Sequence, residues 1–266
     1  MHTSLKDTTL ERDPLFDNPV INTMMCRKSI RKYESEMPSD DTIRAIVRAG
    51  QQAPFAIQLC SLILSRDREQ HAYDAPLMFT ICVDAHRAEL VAAERSWPLI
   101  MNDLLLLVLG MQDAALLAQN MVIAADSLGL GSCFLGAAPY EVEEIIEQYG
   151  LPQRVFPMVQ LVMGYPAENP PTRPRYSLDF TLFEGQYPDF SEETIQRAMA
   201  TMDEGYLAQD YYRSMNAMIP LISGREETFD FDDYSWTEHI SRKVGQWHSS
   251  LEELQEKLAI CGFHVN

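Results

Sequence analysis

The residues best suited to chemistry in this chain are arginines. Within RKSIRKY, Arg27, Lys28, Arg31 and Lys32 place four of the chain's 21 Lys and Arg inside six residues. If this segment is extended, Arg27, Ser29, Arg31 and Tyr33 fall on one side with the two-residue period of a strand. Two guanidiniums and a hydroxyl then converge on one anion. A second cluster, Arg173-Pro174-Arg175, lies in AENPPTRPRYS, where proline fixes the backbone and holds both guanidiniums on a stiff extended segment. One phosphate bound by both clusters is the simplest use of them; a solvated basic patch and an ordinary proline-rich connection are the plainer readings.

Other chemistries lack their residues. His2, His71, His86, His239, His248 and His264 show no i, i+4 pair and no HExxH, so no metal site is expected. There is no GxSxG elbow and no phosphate-binding P-loop. Gly129, Gly131 and Gly136 have the wrong spacing for a dinucleotide fingerprint and follow a helical pattern rather than a strand. No side chain is nominated as catalytic.

The element that must position these groups is the near-continuous apolar stretch from Met111 to Gly136, MQDAALLAQNMVIAADSLGLGSCFLG. Its apolar residues run almost all the way round a helix, which predicts burial on most sides, and Asp113, Gln119, Asn120 and Asp126 argue against a membrane span. Small residues at 114, 115, 118, 124 and 125 favour close helix packing, including across a dimer axis. A glycine stop at 129–131 then leads into a short strand, SCFLG.

Around it, Ser39 caps a helix over DDTIRAIVRAGQ, and CSLILSR and APLMFTICVD read as neighbouring strands. YEVEEIIEQYG reads as a short helix ended by Gly150, and FPMVQLVMGYP as a central strand of a mixed sheet with helices on each side. The last ninety residues are helical in pattern around an acidic loop, ISGREETFDFDDY.

A formal charge of -18 over 266 residues argues against nucleic acid or an anionic membrane as the main partner. Cys26, Cys60, Cys82, Cys133 and Cys261 have no CxxC spacing, and MHTSLKDTTLERDP has no apolar signal region, so a cytoplasmic protein is expected.

RKSIRKY, the AP...IQLCSLIL run, AALLAQNMVIAADSLGLGSCFLG, GLPQRVFPMVQLVMGYPAENPPTRPR and YY...SWTEHISRK, in this order, resemble the FMN-dependent nitroreductase family, most of all its NADPH-type oxygen-insensitive nitroreductase and flavin reductase branch. The resemblance implies an α+β nitroreductase-like fold, with a central mixed sheet flanked by helices and a homodimer whose interface contains the long central helix and FMN. It divides the chain into an N-terminal arm (1–19), an FMN-binding core (20–190) and a C-terminal helical extension of the same domain (191–266). It implies FMN as cofactor and NAD(P)H as reductant, with hydride passed through the flavin to a small aromatic acceptor such as a nitroaromatic, a quinone or a flavin. The alternative is a catalytically impaired flavin-binding dimeric module on the same fold.

Residue by residue, the resemblance assigns Arg27, Lys28, Ser29 and Arg31 to the FMN phosphate and the polar ring edge, with Arg173 and Arg175 closing on the same phosphate. Leu135, Gly136 and Ala137 form the turn over the flavin, and Gln58 lies beside the cofactor's dimethylbenzene or ribityl side. Phe55 and Phe134 are candidates for lining the substrate pocket, and Arg213 and Arg225 for a 2′-phosphate. Two departures stand out: Pro54-Phe55-Ala56-Ile57 lacks the usual hydroxyl donors, and residues 67–75 lack a helix and an amide-plus-lysine element, for which Arg66, Arg68 or Gln70 are the available substitutes.

Overall fold

A computed structural model describes residues 18–222, 224–246 and 251–265. Residues 1–17 of the expected N-terminal arm lie outside the described residues. The described chain divides into two compact units, residues 23–170 with 251–265, and residues 18–22 with 171–246.

The larger unit is built on four strands, β1 (Cys60–Ser65), β2 (Leu77–Asp84), β3 (Gly131–Leu135) and β4 (Val155–Gly164). They form one sheet in the order β1-β2-β4-β3, with all three pairings antiparallel. The sheet is thus antiparallel rather than mixed as expected, and the parallel Ser29–Ser132 contact is an isolated bridge outside the named strands. Every residue of β2 is buried, as a continuous apolar strand covered on both faces requires.

One face of the sheet is covered by two helices. The first, α2 (Asp40–Gln51), follows α1 (Pro19–Cys26) and is capped by Ser39, whose side chain accepts from Thr42 N. Across it lies α4 (Asp103–Ser127), preceded by α3 (His86–Glu94) and capped by Asn102. Ile43 and Ile46 of α2 meet Ala114, Ala118, Met121 and Ala125 of α4 over Phe79, Ile81, Leu161 and Met163 of the sheet. The opposite face carries Met78, Cys133 and Val162, and is covered by Ile30 and Tyr33 from the basic segment.

Two expectations for α4 need correction. It begins at Asp103, eight residues before Met111, because Asn102 supplies the cap and Leu104–Leu109 continue the helix. It is also buried along one stripe only: Leu104, Leu105, Val108, Met111 and Leu116 are exposed in the single chain. By length and composition alone α4 can cross a membrane. Its buried stripe is nevertheless packed as a core helix of the larger unit.

Residues 251–265 complete this unit. After α5 (Val142–Tyr149), the chain turns at Arg154, whose backbone N donates to Cys261 O and whose guanidinium reaches Glu89, Asp103 and Gly262 O. Leu258 of α9 (Leu251–Ile260), Cys261 and Phe263 are buried against Leu59, Leu106, Val142 and Phe156.

The smaller unit contains α6 (Glu192–Leu207), α7 (Tyr211–Ser214) and α8 (Trp236–Gly245). Its core is aromatic: Tyr206, Tyr212 and Tyr234 with Met202, and His239 stacked on Tyr212 at 4.5 Å between ring centroids. Arg242 is buried there between Glu227 and Glu238, at 2.6 and 2.7 Å.

Candidate functional site

The basic segment is extended, as its period predicts. Ile30 N donates to Ser132 O at 2.9 Å, and the Ser29–Ser132 bridge ties the segment to the start of β3. Gly131 permits this approach: a Cβ there would lie 2.4 Å from Ile30 Cγ1. The expected alternation stops at Tyr33. Its ring turns into the core and its hydroxyl donates to Ile30 O at 2.6 Å, so Tyr33 is not presented to an anion as expected. Burial pushes the Tyr33 hydroxyl far above its ordinary range, which keeps it protonated.

Arg27, Lys28, Ser29 and Arg31 are all partly exposed. Two acidic groups found only in the fold trim their charge. Glu168 accepts from Arg31 N at 2.5 Å, and Asp126 at the end of α4 faces Arg27 and Lys28. Burial raises the Asp126 carboxyl, and the two cations oppose that shift. Lys28 also bonds Asn169.

At the other end of β3 lies the turn Leu135-Gly136-Ala137. A Cβ at Gly136 would meet nothing within 4 Å, so the space over this turn is open. Ser132 and Gly136 are four residues apart along a strand and its exit, about 13 Å. The structure therefore places the cationic segment and the small-residue turn at opposite ends of one strand, an arrangement that suits a long ligand with an anionic tail and a flat head. An FMN fits this donor set.

Gln58 is not brought to them. It precedes β1, the opposite edge of the sheet, three strand spacings or about 14 Å from β3. There it lines a cavity of about 210 Å³ with Gly50, Phe55, Cys60, Arg87 and Asp113. It also borders a larger groove of about 510 Å³ with Ile57, Arg87, Val91, Arg95 and Trp97. Phe55 is in the first cavity, whereas Phe134 sits half-exposed on β3.

The three proposed substitutes for the amide-plus-lysine element are engaged locally. Arg66 pairs with Asp40 at the start of α2, Arg68 Nε donates to Asp74 O, and Gln70 bonds Asp67 and Gln148. The connection itself contains two single turns of 3-10 helix, at Arg68–Gln70 and Ala72–Asp74, where no helix was expected. His71 between them is buried, with its two ring nitrogens on Ala75 O and Ser65 Oγ.

Arg173 and Arg175 belong to the smaller unit. Arg173 lies over the Tyr211 ring at 4.0 Å and donates to Gln209 Oε1 at 2.6 Å, and Arg175 donates to the carbonyls of Arg173 and Pro174. The prolines thus hold this segment in place with its own backbone as acceptor. Arg213 pairs with Asp210 and Asp232, while Arg225 is exposed.

The residue that sequence reading missed is Asp113. It interrupts the apolar stripe of α4, is 2% exposed, and accepts from the backbone N–H groups of Ala56, Ile57 and Leu59 at 2.6, 3.2 and 2.9 Å. A charged residue at a buried position of a helical period was the available signal.

Residues 63–165, which span the sheet from β1 to β4 and include α4, match the model of the nitroreductase family. That stretch is a nitroreductase-family domain. The chain is similar to an oxygen-insensitive NADPH nitroreductase of Salmonella typhimurium, 28% identical over 241 residues that cover 85% of this chain and 91% of the relative. An FMN reductase (NADPH) of Bacillus subtilis is 28% identical over 74% of this chain and 84% of its own length. Among solved nitroreductase-like structures, B. megaterium NfrA2 superposes with a TM-score of 0.78 at 27% identity, covering 94% of this chain and 99% of that one.

Proposed function

We propose that this chain is an FMN-dependent NAD(P)H oxidoreductase of the nitroreductase family that passes hydride to a nitroaromatic, quinone or flavin acceptor. The observation that carries the proposal is the pairing of the extended RKSIR segment with β3, which leaves cations at one end of the strand and the open Gly136 turn at the other. The relatives' names, FMN reductase (NADPH) and oxygen-insensitive NADPH nitroreductase, support the same reading.

In this reading Arg27, Lys28, Ser29 and Arg31 bind the phosphate, with Arg173 and Arg175 as further donors. Leu135, Gly136 and Ala137 bring backbone N–H groups close to the ring, which the small size of Gly136 and Ala137 allows. When bound, FMN supplies the hydride exchange between nicotinamide and acceptor, in two half-reactions at one stacking surface. The protein's part is position and electrostatics, and no side chain has to move a proton.

Gln58 joins this site through a second copy of the chain. It stands at the far edge of the sheet from β3, where it lines a cavity with Asp113 and Leu117 of α4, a helix whose other face is apolar and exposed in the single chain. A homodimer through α4 covers that face and brings the Gln58 edge of one protomer to the β3 edge of its partner. All five cysteines are free, which agrees with a cytoplasmic location.

The test is purification with and without added FMN, followed by NAD(P)H oxidation with menadione or a nitrofuran as acceptor. The expected result is a yellow protein with one FMN per protomer that oxidises NAD(P)H only when an acceptor is present. A protein that takes up no FMN overturns the proposal, and one that takes it up but oxidises neither nucleotide returns the chain to a flavin-binding module without turnover.

A further inference from the structure

Gln58 has a backbone φ of +60°, a left-handed conformation that side-chain-bearing residues rarely adopt. Such strain persists where the surroundings over-determine it, and it concentrates at functional sites. Here the surroundings are two charged residues acting from opposite sides. On the buried side, Asp113 Oδ2 accepts from Ile57 N and Leu59 N, the two amides that flank Gln58, while Oδ1 accepts from Ala56 N. On the exposed side, Arg87 Nη2 reaches Cys60 O and, at 3.4 Å, Gln58 O. Arg87 is itself anchored: its Nε lies 2.7 Å from Oδ2 of the buried Asp84, whose other oxygen accepts from Arg87 N.

The loop so held is Pro54-Phe55-Ala56-Ile57-Gln58, in which Gln58 is the one polar side chain. Three of its neighbouring backbone donors are spent on Asp113. The Gln58 side-chain amide is exposed at the junction of two cavities. We infer that Asp113 and Arg87 are positioning residues that lock Gln58 in its left-handed conformation, so that this amide is presented to the flavin as the loop's donor in place of the absent hydroxyls.

This inference rests on the FMN reading above, and its test separates the two. FMN dissociation constants are measured by fluorescence quenching for wild type, Asp113→Asn, Gln58→Ala and the double variant, with amide exchange of Ala56, Ile57 and Leu59 followed in the FMN-free protein. Each single change is expected to weaken FMN about tenfold, the scale of one hydrogen bond to a ligand. The double variant is expected to be no weaker than the worse single, because Asp113 acts through Gln58. The three amides lose protection in Asp113→Asn and keep it in Gln58→Ala. Effects that multiply to about a hundredfold, or an Asp113→Asn protein with wild-type affinity, overturn the positioning role while leaving FMN binding intact. A wild type that binds no FMN overturns the functional reading and the inference with it. If Asp113→Asn fails to fold, Arg87→Lys in the same cycle with Gln58→Ala makes the same comparison from the exposed side, with the same outcomes on either hand.

Discussion

The guanidinium of Arg31 is proposed to bind the phosphate while its backbone N–H is held by Glu168, so truncating the side chain should cost charge and leave that backbone bond in place. Arg31→Ala is expected to weaken FMN by one to two orders of magnitude, about 1.5–3 kcal/mol for a hydrogen bond to a charged group. Riboflavin, which lacks the phosphate, should lose little. Parallel titrations with the two flavins check this, and an equal loss for both would place Arg31 elsewhere than at the phosphate. At this scale the sequence reveals types more readily than directions. The basic cluster was legible because four cations in six residues are visible in one dimension. The inward turn of Tyr33 and the role of Asp113 were not, because the partners of Asp113 lie 54 to 57 residues away along the chain.

The helix α4 has a buried stripe and an exposed apolar face. Its buried stripe fixes the sheet, and its exposed face of Leu104, Leu105, Val108, Met111 and Leu116 is the one proposed for a second copy. Val108→Glu on this face is expected to yield a folded monomer by sedimentation, with FMN lost in parallel. A dimer that persists would move the interface to another surface. The start of α4 offers a second test. Arg154 bonded to Asp103 holds that carboxyl below the usual range, and His264 N adds a backbone bond. A depressed folded pKa stabilises the protein above the unfolded value, near pH 4, and that stability is lost as pH falls through the folded value. Asp103→Asn should therefore lower Tm by about 2–4 °C near neutrality, for about 1 kcal/mol after solvent screening. The gap should close below about pH 4, and melts across that range check it. Elements were legible where their signals are local, as in the Ser39 cap of α2 and the Gly150 end of α5. The open face of α4 was not, since an all-round apolar helix gives no sign of which side the rest of the chain will cover.

Across the whole molecule, a net charge of -18 surrounds a few concentrated cations. An anionic nicotinamide nucleotide approaches against that field. Its kcat/KM is expected to rise a few-fold as ionic strength goes from about 0.01 to about 0.15 M, while that of a neutral quinone stays flat. Stopped-flow rates at several salt concentrations check the difference, and a fall for the nucleotide would mean that local arginines outweigh the global field. The larger unit has one further property. It joins residues 23–170 to residues 251–265, which the chain reaches only after residues 171–246 of the smaller unit, and Phe263, with no exposed surface, seals its end. A ribosome makes residues 171–246 before it makes that seal. The first-synthesised strands and helices must therefore wait, with Leu59, Leu106 and Phe156 uncovered at one end, until residues 258–263 emerge from the exit tunnel, so protease resistance of the nascent larger unit should arrive late and abruptly rather than growing with chain length.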